Sequence, residues 1–219
     1  SVAIIGASSD PKKTSSRAQR FLVSHGYKGK IFPVNPNREE IFGLKCYPNL
    51  KSINEHIDHI FIAVDSNKII EAIKDAISKK VRCATILSGG STESGSEGND
   101  LEKQVFKIAK KGDLRILGPN SIGLINISDN FILSANAMLE LQELKKGSLG
   151  VISHSGSLIG ALLAHGQSRG IGFSKLVSVG NESDLSVGEI GKMLVNDPNT
   201  ESIILFLETI RNSDEVAEM

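Results

Sequence analysis

Residues 1–17 read SVAIIGASSDPKKTSSR: an apolar, β-branched run from Val2 to Ile5 that stops at Gly6, then a polar turn, then the start of a helical pattern over Arg17 to His25. Strand, loop and helix in that order open a βαβ unit, and the turn decides which ligand the unit takes. A dinucleotide site repeats glycine two and five residues after the first, so that backbone and pyrophosphate can approach closely. Those positions hold Ser8 and Pro11, which disfavours NAD. The turn supplies hydroxyls and cations instead, with Ser8, Ser9, Lys12 and Lys13 leading into a helix. Free N–H groups and the positive end of the helix dipole favour an anion there, and a phosphate-rich ligand fits. The same residues also suit a helix capped by Ser and Asp with its lysines in solvent.

Outward from this turn, the pattern repeats. Lys30 to Val34 reads as a strand closed by Asn35-Pro36-Asn37, and His59 to Val64 as a strand buried on both faces. Ile69, Ile70, Ile73, Ala76 and Ile77 mark one face of a helix. Cys83 to Leu87 is a strand followed by the turn Ser88-Gly89-Gly90, Leu101 to Lys110 a helix, and Arg115 to Leu117 a strand ending in Gly118-Pro119-Asn120. Such alternation predicts a doubly wound parallel α/β sheet with ligands at the carboxyl ends of its strands, where all of these turns fall. Asn126 to Lys146 breaks the rhythm. A second α/β unit then follows, with strands at Leu149 to Ile152, Lys175 to Val179 and Ser202 to Leu207, and helices at Ser157 to Gln167 and Val187 to Leu194. The expected division is a first domain over 1–126, a linker over 127–146 and a second domain over 147–219, cut short at its C-terminal end.

Composition narrows the partners. A chain of 219 residues with 40% hydrophobic and 23% charged side chains is ordinary for a globular protein and unlike a disordered one. Lys+Arg and Asp+Glu number 25 each, so no basic excess exists to neutralise nucleic acid or an anionic membrane. Apolar runs such as Ile60 to Val64 fall far short of the ~20 residues that span a bilayer. Two cysteines without CxxC spacing and no secretory signal at the start point to a reducing cytoplasm, with neither a disulfide framework nor a thiolate zinc site. No histidine lies in an HExxH arrangement, and no metal site is expected. His25, His56 and His59 lie beside charged residues and read as surface positions.

Two further positions carry chemistry. Ser153-His154-Ser155-Gly156 follows a strand and opens a helix, but lacks the GxSxG spacing of a nucleophile elbow. His154 either orients an anion or fills space. Glu208 ends the apolar run IILFL, where a carboxylate either caps the next segment or faces a ligand. The chain has no GxxxxGK[ST] and so no P-loop.

In order, the segments GASSDPKK, VNPN, AVDS, SGGSTESG, GPNSIGLIN, ISHSGSLIGA, SVGNESDLS and NDPNTESIILFLETI resemble the NDP-forming acyl-CoA synthetase family, which includes the succinyl-CoA synthetase alpha subunit. The resemblance covers nearly the whole chain. It implies a Rossmann-like CoA-binding domain followed by a flavodoxin-like ligase domain, acting on CoA and a small carboxylic acid through an acyl phosphate and a phosphohistidine. It also implies that Gly6 and the turn Ser8, Ser9, Lys12 and Lys13 hold CoA phosphates. Val34, Asn35, Pro36, Ala63, Val64, Gly89 and Gly90 would line the rest of the groove, and Asn120 the thiol end. Glu208 matches the family carboxylate that orients the phosphorylated histidine.

That histidine lies in a GHAG segment which this sequence does not contain, and His154 sits in a turn where relatives often carry SRSG or SQSG. His154 is therefore not assigned as the phosphohistidine. ATP, ADP and Mg would enter only through an ATP-grasp domain or beta-type subunit, and an oligomer is expected. The rival function is a CoA-sensing regulatory module fused to an acetyltransferase, without synthetase activity. A serine hydrolase using Ser153 or Ser155 is a weaker third reading.

The first turn predicts that the chain binds CoA and not NAD in titration calorimetry. Saturable NAD binding without CoA binding would overturn the reading.

Overall fold

The computed structural model describes residues 1–88, 96–140 and 143–219. Apolar β-branched runs form β1 (Val2–Ile5), β2 (Ile31–Val34), β5 (His59–Ile62), β6 (Cys83–Ile86) and β7 (Arg115–Leu117). They pair in parallel in the order β2-β1-β5-β6-β7, the doubly wound arrangement expected. A two-stranded ribbon of β3 (Glu40–Ile41) and β4 (Leu44–Lys45) follows β2. Sheet order reverses direction between β1 and β5, so a crevice opens at their carboxyl ends.

Alternate side chains of this sheet enter two cores. Ala3, Ile60, Ile62, Ala84 and Ile86 pack beneath α2 (Ser66–Ser78) and α3 (Ser96–Lys111), whose Ile73, Ala76, Val105 and Ala109 complete that layer. Val2, Ile4 and Phe61 face α1 (Thr14–Ser24) through Ala18 and Leu22. Burying an aliphatic side chain of this size stabilises by about 1.5–3 kcal/mol, which is why unbroken apolar runs form the central strands.

The second sheet runs in the order β12-β10-β11-β8-β9. β10 (Lys146–Ser153), β11 (Phe173–Ser178) and β12 (Ser202–Phe206) are parallel, whereas β8 (Gly123–Asn126) and β9 (Phe131–Ser134) form an antiparallel hairpin on the β11 edge. α4 (Gly156–Ser168) covers one face, α5 (Val187–Val195) the other, and the short α6 (Ser213–Ala217) packs beside α5.

The hairpin changes how the stretch expected as a linker is read. Residues 123–134 belong to the second sheet, and β9 also sends Leu133 and Ala135 into the first unit's core. α1 is consequently shared: Ala18 and Leu22 face the first sheet while Phe21 packs with Ile125, Ile132 and Val151 of the second. The physical reason is geometric. A first sheet of five strands leaves the α1 face only partly covered, and the hairpin supplies the missing apolar surface.

His59 also differs from the surface position expected. It starts a central strand, its Nε2 lies 2.8 Å from Thr85 Oγ1, and burial pushes its imidazole down to about 4. No helix among the described residues is long and apolar enough to cross a membrane.

The two sheets meet at a backbone joint. Asn181, Ser183 and Leu185 donate their N–H groups to the carbonyls of Pro119, Gly118 and Ile116 at 2.8, 3.2 and 3.1 Å, so the two segments run in opposite directions side by side. Gly180, at φ +59°, lies so close that a Cβ would fall 2.2 Å from Pro119 O. Gly180→Ala is therefore expected to cost about 2–4 kcal/mol, combining left-handed strain with overpacking. Urea unfolding measures this, and an unchanged midpoint would show that the joint is loose.

Candidate functional site

The carboxyl ends of the first sheet build a rim from backbone outward. Gly6, at φ +84°, lies against the neighbouring turn so tightly that a Cβ would sit 2.5 Å from Ala63 O and 2.7 Å from Val64 Cγ1. Only glycine keeps this crevice open. Asn35 ties the second turn to the first, donating from Nδ2 to Ala7 O at 2.8 Å and accepting Asn37 N–H at 2.9 Å. A groove of about 500 Å³ runs past Gly6, Val34, Asn35, Pro36 and Val64.

Beside it lies a polar cleft of about 410 Å³ lined by Ser8, Ser9, Asp10, Lys13, Asn35, Asn37 and Arg38. Here the two readings of the first turn separate. Asp10 accepts Lys12 N–H at 2.9 Å, inside the loop, and no side chain caps α1. The first turn of α1 also contains no acidic residue. The helix terminus thus keeps its positive end without a capping side chain, and the cleft beside it brings together the Lys13 and Arg38 cations with the single carboxylate of Asp10. Lys12, exposed and outside the lining, is the one member of the predicted turn not brought to the cleft. Arg38 was missed by sequence reasoning. Its Nε donates to Ser9 Oγ at 3.3 Å, and its only sequence signal is a cation just after Asn35-Pro36-Asn37.

Further along the rim, Ser88 Oγ donates to Val64 O, and Asn120 N–H reaches Ser88 O at 3.4 Å. Gly89 and Gly90 lie outside the described residues. Asn120 is exposed at φ +59° on the turn that carries the inter-sheet joint. The same joint fixes the start of the loop after β11. Arg115, at the start of β7, reaches across to Asp184 at 3.1 Å and Glu189 at 2.9 Å, and these carboxylates hold its guanidinium above the usual arginine range.

On the second sheet's rim, His154 is buried, with only 6% of its side chain exposed. Its Nε2 lies 3.1 Å from Glu182 Oε2, and its Nδ1 accepts the backbone N–H of Glu208 at 3.1 Å. Both ring nitrogens are thus engaged, and the ring is not presented as a nucleophile. Glu208 itself is exposed just beyond β12. Glu182 had no role in the sequence reading, since its partners are 5 and 28 residues away. Among the described residues, no cluster of three or more His, Cys, Asp or Glu side chains is arranged to hold a metal ion.

Comparison with known proteins gives this geometry a context. Residues 1–127 match the CoA binding domain family, and residues 146–219 the succinyl-CoA ligase like flavodoxin domain. An ADP-forming acetate–CoA ligase (II) of Archaeoglobus fulgidus is 37% identical over 215 residues, covering 97% of this chain and 31% of that protein. The alpha subunit of ADP-forming acetate–CoA ligase II of Pyrococcus furiosus is 34% identical over 218 residues, covering 100% of this chain and 46% of the subunit. The solved structure of a dinucleotide-forming acetyl-coenzyme A synthetase 1 from Ca. Korarchaeum cryptofilum, in complex with phosphate and ADP, superposes with a TM-score of 0.89 at 34% identity. That match covers 95% of this chain and 44% of the other. The chain thus spans less than half the length of each of these relatives.

Lys13→Ala and Arg38→Ala are each expected to weaken CoA binding severalfold, with the loss shrinking as salt rises, because exposed charge contacts are screened over ~10 Å at 0.1 M. Lys12→Ala should do less. Titrations at two salt concentrations test this ranking, and equal, salt-independent affinities would return both cations to a solvated role.

Proposed function

We propose that this chain, which belongs to the NDP-forming acyl-CoA synthetase family by both its CoA-binding domain and its succinyl-CoA-ligase-like flavodoxin domain, is the alpha-type part of an acid–thiol ligase. The complete reaction converts a small carboxylic acid, CoA and ATP to acyl-CoA, ADP and phosphate, the carboxyl oxygen leaving with the phosphate. Division through an acyl phosphate and a phosphohistidine replaces one difficult step with easier ones.

The observation that carries this reading is the continuity of the rim. One backbone joint unites the turn bearing Asn120 with the loop that leads to Glu182, and so ties the CoA-type groove to the edge bearing His154 and Glu208. Gly6, Ser8, Ser9, Lys13, Asn35 and Arg38 have the chemistry to hold the phosphates of CoA, and the apolar walls at Val34, Pro36 and Val64 suit its less polar length, while Ala63 lies behind Gly6 and outside the groove lining. CoA supplies the thiol that accepts the acyl group. Asn120 is the residue of this chain suited to the thiol end.

Glu208 acts on the other half of the chemistry. A carboxylate hydrogen-bonded to one imidazole nitrogen fixes the tautomer that presents the other as nucleophile, and it stabilises the positive charge that develops on the ring. The accepting histidine, the nucleotide and Mg belong to an ATP-grasp domain or subunit and to family segments outside these residues. ATP/ADP is the pair favoured by the ADP-forming relatives. The complete enzyme is proposed to be an oligomer in the cytoplasm.

Glu208→Gln in the complete enzyme tests this, since the amide keeps the shape and loses the charge. CoA affinity should be unchanged, while phosphoenzyme formation from ATP, followed by rapid quench, should slow by on the order of a hundredfold, the scale of a lost acid–base partner. An undiminished rate would reduce Glu208 to a structural cap.

A further inference from the structure

Buried polar groups are costly unless every donor and acceptor is met, so a buried histidine with two engaged nitrogens records a defined arrangement. In the turn after β10, His154 is 9% exposed and Glu182, in the loop after β11, is 7% exposed. The backbone N–H of Glu208 is a donor under all conditions, so the Nδ1 atom 3.1 Å away must carry its lone pair. The proton of the neutral ring is then on Nε2, which donates to Glu182 Oε2 at 3.1 Å. Glu182 uses its other oxygen, Oε1, to accept Val187 N–H at 2.7 Å in the first turn of α5, where the helix dipole favours a carboxylate. His154 also donates its own backbone N–H to Phe206 O at 3.2 Å. One residue therefore grips the end of β12 twice, once by backbone and once by ring, on either side of Leu207.

We infer that His154 and Glu182 are positioning residues for Glu208: Glu182 selects the Nε2–H tautomer of His154, and that ring fixes the backbone from which the Glu208 carboxylate acts. The inference rests on the role proposed above for Glu208 and adds the two side chains that aim it. It accounts for a polar pair in a place that packing alone would fill with apolar residues. It also explains why Glu208 can be exposed and still well placed, since the restraint is on its main chain and leaves its carboxylate free to meet an imidazole. α5 anchors the chain of contacts at one end, and the joint at Asn181 to Leu185 holds the loop that carries Glu182.

The half-mimics of histidine separate this from a merely structural role. In the complete enzyme, His154→Leu removes the acceptor, and phosphoenzyme formation should slow by roughly tenfold or more, the scale on which small misplacement of a reacting group is felt. CoA affinity should not change. His154→Asn places an amide oxygen where Nδ1 was and should restore most of that rate. Glu182→Gln makes no contact with Glu208, yet it should slow phosphorylation as well, because an amide cannot accept from both Val187 N–H and His154 Nε2–H. Should the leucine variant fail to fold, the 15N shifts of the His154 ring in the unaltered enzyme test the same claim. The Nε2–H tautomer is expected, and an Nδ1–H tautomer or an imidazolium at neutral pH overturns the inference. Unchanged rates in His154→Leu and Glu182→Gln beside a slow Glu208→Gln would overturn it while leaving the role of Glu208 intact. Unchanged rates in all three would overturn both.

Discussion

The antiparallel contact between residues 116–119 and 181–185 is the constraint on which the rest of the molecule depends. It is made of main-chain hydrogen bonds, each worth a net ~0.5–1.5 kcal/mol, and of Leu117, which leaves the first sheet's last strand to pack among Val179, Leu185 and Val187 of the second. The ion pairs of Arg115 lie over this seam, but its side chain is 43% exposed, and pairs of that kind contribute at most about 1 kcal/mol. The backbone and the leucine hold the joint, and the charges set its register. Asp184 helps both, because it also accepts Ile116 N–H at 2.7 Å.

That joint explains why two sheets with their own cores can share one working edge. Each sheet alone obeys the rule that ligands gather at the carboxyl ends of parallel strands. Joined at the turn after β7 and the loop after β11, the two edges become neighbours without a linker between them. Close backbone approach is the recurring device. Gly6 gives it at the crevice and Gly180 at the seam, both at positive φ with no room for a Cβ.

The central strands were legible because burial on both faces writes an unbroken apolar run, as in His59 to Val64, and the turns because glycine, proline and asparagine punctuate them. The hairpin was not. Its strands, GLIN and FILS, are too short to show a period, although the Asp129-Asn130 pair between apolar runs is a turn signal. Lys12 and Lys13 look alike in sequence, yet the loop hydrogen bond from Lys12 N–H to Asp10 belongs to a turn that brings only Lys13 to the cleft. Arg38 and Glu182 depend on contacts 29 and 28 residues away. No local pattern encodes such distances, so polar partners between separate loops had to wait for the fold.

The shared helix α1 also has a consequence in time. It leaves the ribosome well before its second set of partners, because Arg17 waits for the carbonyl of Ala135, 118 residues later, and Phe21 waits for Ile125 and Ile132. At ~5–20 residues per second, the helix has one apolar side uncovered for roughly ten seconds of synthesis. Nascent-chain folding of these two units is therefore not a matter of finishing one before starting the next, and until the hairpin emerges the aromatic edge of α1 is a surface open to a chaperone.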